Sequence, residues 1–127
     1  MGKSLEEMQA EVREFVLQKG WRGDDAPPRT FGDDMALLHS EVSEALEAFR
    51  ARGLMRWAEV DRFATRVEVE DYSYHDHKPE GVASEFADIL IRLLDDCAEY
   101  GVDLEKEYEA KMKYNRTRSH RHGGKLL

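Results

Sequence analysis

Four times along the chain, apolar side chains recur at three- and four-residue intervals, and only three prolines interrupt the 127 residues. That period gives each segment one stripe to bury and leaves little room for any fold but a helical one. The first stripe is Leu5, Met8, Val12, Phe15 and Val16. Ser4 with Glu7 three residues on forms a reciprocal N-terminal cap for it, and Gly20 suits its end. Pro27 and Pro28 make 21–32 a loop. The second stripe, Met35, Leu38, Val42, Leu46 and Phe49, predicts a helix over about 33–52 with Gly53 just beyond. The third is Val82, Phe86, Ile89, Leu90, Leu93 and Cys97, in a helix predicted from Pro79, a favoured first-turn residue, to about Tyr100. Asp103 then caps a fourth helix to about Thr117. The expectation is a single all-α domain over 1–127, of four-helix bundle type. An inserted irregular segment is expected at about 54–78, where LMRWAEVDRF suits a helical turn and TRVEVEDYSYHDH alternates like an extended hairpin arm.

Composition narrows the function classes. Hydrophobic residues at 41% and charged residues at 36% suit a soluble, charge-rich globular protein. No apolar run approaches the ~20 residues of a membrane span, and residues 1–3 do not open a signal peptide, so a cytoplasmic protein without a membrane partner is expected. Cys97 is the one cysteine, which excludes an internal disulfide and fits a reducing compartment; on an apolar stripe, it reads as core. The net charge of -8 hides an asymmetry: residues 111–127 hold six Lys/Arg and no acid, so all 27 acidic side chains lie before them. The acidic body argues against a large nucleic-acid footprint. The basic C-terminal tail, 116–127, is either solvated or set to meet phosphate.

Within HSEVSEALEAF (39–49), Glu41 and Glu44 stand one turn apart, where like charges repel. SEFADILIRLL (84–94) repeats the arrangement with Glu85 and Asp88. Both pairs sit at similar offsets from their own stripes, so two neighbouring helices can turn four carboxylates toward one cleft. A hard divalent cation with oxygen ligands would offset that repulsion. The other reading is solvated charge, with Asp88 paired to Arg92 at i+4. Neither pair is Glu-x-x-His, which sets aside a di-iron bundle. Glu47 extends the acidic run but lies on another side of its helix. In the fourth helix the stripe of Leu104 and Tyr108 continues at the same angle as Lys111, Asn115 and Arg118. Polar groups on an inherited core face need a partner: either a phosphate chain, which Arg grips through two donors, or water where the helix emerges.

Taken in order, Glu41-Val42-Ser43-Glu44, Glu85-Phe86-Ala87-Asp88, then Lys111, Asn115 and Arg118, with the ending Arg121-His122-Gly123-Gly124-Lys125, resemble the MazG-like all-α nucleoside triphosphate pyrophosphohydrolases. The likeness covers roughly 33–53 and 79–125; the spacer holding 54–78 is longer than is usual there. The resemblance implies hydrolysis of a (d)NTP between its α and β phosphates to a (d)NMP and pyrophosphate, for pool sanitising or dNTP regulation. It makes Glu41, Glu44, Glu85 and Asp88 both the catalytic residues and the ligands of Mg²⁺, or Mn²⁺, with more than one ion expected, which would polarise phosphate oxygens and activate a water. It assigns Lys111, Asn115, Arg118 and Lys125 to the phosphates. His39, Trp57 and Trp21 are the candidates for contacts with the base. A homodimer or homotetramer is implied; the third-helix face of Ala87, Ile91, Leu94 and Ala98 is the candidate contact surface, unless helix one covers it. The alternative is a non-catalytic helical regulatory or nucleic-acid-binding module using the basic end.

Overall fold

The computed structural model describes residues 2–59, 66–70 and 78–119. Among these the chain is mostly helical, with four helices and one small three-stranded sheet. It divides into two compact units, Ala26–Leu93 and Met1–Asp25 with Leu94–Leu127.

In the unit Ala26–Leu93, α1 being the earlier helix Leu5–Gln18, helix α2 spans Phe31–Arg52. Thr30 caps it: its hydroxyl accepts the Asp33 N–H at 3.0 Å, and the Asp33 carboxylate accepts the Thr30 N–H at 2.8 Å. Asp33 and Asp34 in the first turn and Arg50 and Arg52 in the last complement the helix dipole. Gly53, at φ 60°, ends the helix. Three short strands follow: β1 (Trp57–Glu59), β2 (Arg66–Glu68) and β3 (Lys78–Glu80), antiparallel in the order β2-β1-β3. In the described part of 54–78 the expected helical turn gives way to strand β1, while the expected extended arm agrees with β2; the small sheet makes the fold mostly helical rather than all-α. Buried Trp57 and Ala58 form its central strand.

Pro79 is not a helix opener. It lies opposite Ala58 on the edge strand β3, where its missing N–H costs no ladder bond. Helix α3 (Val82–Glu99) starts only after Gly81, whose φ is 109°. A Cβ at Gly81 would lie 2.8 Å from the Met55 carbonyl oxygen, so this turn needs glycine. Ala48, Trp57 and Val82 form the core there.

The predicted stripe of α2 is not its covered side. Asp34, Ala45 and Ala48 are buried, while Val42, Leu46 and Phe49 are each more than half exposed. Asp34 tolerates burial because Arg29 Nε lies 3.0 Å away.

In the other unit, α1 carries the expected cap, with Ser4 and Glu7 exchanging hydrogen bonds. Helix α4 (Leu104–Thr117) is capped by Asp103, which accepts the Lys106 N–H at 3.1 Å. Val12, Val16 and Leu94 make the core, joined by Leu5, Met8 and Leu104. Leu94 is thus covered by α1 residues, which removes it from the expected intermolecular face. Cys97 is buried, and burial pushes its thiol up, with the Asp96 charge adding to the effect. Arg22 is buried against Asp95 and Asp96, donating to both at 3.1 Å.

Candidate functional site

Within Ala26–Leu93 the contacts of α2 and α3 run in opposite sequence order. Ala48 shares a core with Val82, Glu44 meets Glu85, and Glu41 reaches Arg92. The two helices are antiparallel there. At about 100° per residue, Glu41 lies among Asp34, Ala45 and Ala48 on the covered side of α2. Glu85 sits in the first turn of α3, where the helix dipole favours a negative charge.

This placement brings Glu41, Glu44 and Glu85 together, one oxygen of each lying within 4.8 Å of the others. Asp88 is outside that triplet, one turn further along α3, but shares its field. The Glu44 carboxyl is pushed up by a hydrogen bond with Glu41, then by partial burial and by the charges of Glu41, Glu85 and Asp88. Glu85 is raised by burial first and then by Asp88 and Glu41, with Lys78 pulling the other way. Asp88 is raised by burial and Glu41, against the lowering effect of Arg92 and Lys78. In all three, the charge of neighbouring carboxylates adds to a larger effect, burial for Glu85 and Asp88 and the shared hydrogen bond for Glu44.

The donor set fits a hard divalent ion. Mg²⁺ binds oxygen at about 2.1 Å, so adjacent ligand oxygens stand about 3 Å apart and opposite ones about 4 Å; oxygens within 4.8 Å of one another would draw together around it. Three carboxylates on two helices also leave coordination positions for water or phosphate oxygens.

Two cations beside the carboxylates have different histories. Arg92 pairs not with Asp88 but across the helix pair with Glu41, donating from Nε and Nη2 to Oε1 at 3.0 Å each. Its spacing of seven residues from Glu85 puts both on one face of α3, a signal present in the sequence. Lys78 lies on β3, and nothing in local sequence connects it with the acids.

The remaining predicted residues are distributed as follows. His39, about 160° around α2 from Glu41, lines a groove of about 270 Å³ with Met35, Leu38, Val42, Ile89 and Leu93. Trp57 is buried with the Arg52 guanidinium 5.3 Å from its ring centre. Trp21 belongs to the other unit and is exposed, edge-on to Phe15. Lys111, Asn115 and Arg118 are exposed on and just beyond α4, with Lys111 and Arg118 each 6.0 Å from the Tyr114 ring. Lys125 lies outside the described residues. Glu47 pairs with Arg50 at 2.9 Å on an exposed surface. Among the described residues no helix is long and apolar enough to cross a membrane. Comparison of the chain with known protein families, curated proteins and solved structures finds no match.

Proposed function

We propose that this chain is a nucleoside triphosphate pyrophosphohydrolase of the MazG-like kind, dependent on Mg²⁺ and able to use Mn²⁺. The observation that carries the reading is the convergence of Glu41, Glu44 and Glu85 from two helices, with Asp88 in the same field. Such a cluster is unfavourable in water alone and becomes favourable with a divalent counter-charge. In this reading the four carboxylates hold the ion, whose chemistry when bound is to polarise phosphate oxygens and acidify a water. Arg92 fixes Glu41, and Lys78 offsets part of the charge that an anionic substrate would otherwise meet. Water cleaves the bridge between the α and β phosphates, and a nucleoside monophosphate and pyrophosphate are released.

The resemblance assigns the polyphosphate to Lys111, Asn115, Arg118 and Lys125. Trp57 is the favoured base contact of the three candidates. Its core partners Ala48 and Val82 lie one helical turn from Glu44 and Glu85, and its buried indole N–H meets no acceptor among the described residues. Self-association is part of the proposal, through the side of α2 and α3 that exposes Val42, Leu46, Phe49 and Phe86.

Incubation with each dNTP and NTP in Mg²⁺, following monophosphate and pyrophosphate, tests the activity. Glu41→Gln and Asp88→Asn are expected to reduce turnover at least about 100-fold, the scale of losing a group that stabilises the transition state. Release of diphosphate and inorganic phosphate would reject the reading.

A further inference from the structure

We propose that Arg92 occupies a second cation position in the acidic cluster, so that the site takes one divalent ion per chain rather than two. The inference rests on the metal-site reading above and deepens it. Four carboxylates carry the charge of two divalent ions, yet they are not equivalently placed. Glu41, Glu44 and Glu85 converge within 4.8 Å. On the other flank the Arg92 guanidinium makes a two-donor contact with Glu41 Oε1, both distances 3.0 Å. Arg92 also stands one turn from Asp88 on α3.

The carboxylates therefore divide into an open triplet and a flank, one turn from Asp88, where Glu41 already meets a fixed cation. Glu41 belongs to both. A guanidinium does not lose its proton in a protein, so this charge is permanent. The side chains of Arg92 and Glu41 are only 27% and 12% exposed, which limits screening by salt. One divalent ion with Arg92 leaves the quartet one negative charge. Two ions with Arg92 would leave a net positive charge and set like charges against each other across Glu41. In the nucleotide-free chain a second ion is disfavoured on both counts.

The test is Mn²⁺ titration of the intact chain, with free Mn²⁺ read by electron paramagnetic resonance and bound ions counted per chain. The wild type is expected to bind one ion tightly, and Arg92→Met to bind a second with comparable affinity. Arg92→Lys, which keeps the charge without the fork, is expected to stay at one and serves if the Met variant fails to fold. Two ions of similar affinity on the wild type or on the Lys variant would overturn the inference, as would a Met variant that still binds only one. Glu44→Gln separates this from the underlying reading: it should weaken the wild-type ion at least tenfold. No effect there, or no Mn²⁺ bound at millimolar concentration, would remove the metal site itself and the inference with it.

Discussion

Glu44 is an exposed side chain with an unusual neighbourhood: among the described residues three other carboxylates raise it and no basic group holds it down. A carboxyl whose folded value is raised binds its proton more readily folded than unfolded. Its contribution to stability is therefore fully present below the unfolded value and is lost as pH rises through the folded one. For Glu44, Glu85 and Asp88 that loss begins above their ordinary values of 4.5 for Glu and 3.8 for Asp. Metal-free Glu44→Gln is expected to melt about 2 °C above the wild type at pH 7, from ~0.5 kcal/mol of relieved repulsion. The difference should vanish near pH 4. With millimolar Mg²⁺ the order should reverse, because only the intact cluster gains from the ion. Calorimetry at the two pH values, with and without Mg²⁺, checks all three outcomes. The acid pairs themselves were legible as an oddity of i, i+3 spacing. Arg92 was hidden by a nearer partner, since Asp88 at i+4 offers the ordinary intrahelical pair and Glu41 is 51 residues away.

At the scale of elements, periodicity located four helices because each is long enough to show three or more turns. Of the strands only β2 was foreshadowed, by the alternation over 65–77; β1 and β3, at three residues apiece, are too short to display a pattern of their own. The cap of α2 escaped notice because Thr30 precedes Phe31 and Gly32, and the helical stripe starts only at Met35. Long-range polar contacts are equally silent in sequence. Arg22, in a loop, is 73 residues from Asp95 yet buried with it and with Asp96 on the last turns of α3. Arg22→Met would remove a cation that donates to both buried carboxylates. A loss of about 3–5 kcal/mol is expected in urea unfolding, and adding Asp95→Asn with Asp96→Asn should recover part of it.

Over the whole molecule, the period of α2 identified an apolar stripe but not what covers it. Ala45 and Ala48 took the inner side, leaving Val42, Leu46 and Phe49 outward, and Phe86 and Leu90 of α3 are also exposed. Two Phe rings that are more than half exposed already present ~200 Å², a large share of the apolar patch that a soluble monomer normally shows. Under the proposed self-association, Phe49→Asp with Phe86→Asp should shift the protein to monomer in sedimentation velocity while leaving its helical circular dichroism unchanged. A wild type that sediments as a monomer at high micromolar concentration would contradict that assignment. The MazG-like proposal itself rests on the order of the acidic pairs and the basic residues along the chain.

Gly81 stands at the root of the acidic cluster. The carbonyl of Met55 presses where any side chain would go, and Glu85 hangs from the same turn through its N–H bond to the Gly81 carbonyl, 3.0 Å long. The reach of Glu85 toward Glu41 and Glu44 is thus set by a backbone junction with no slack. A single methyl group there, in a place that touches no ion and no substrate, would act as a wedge and loosen the grip of the whole constellation.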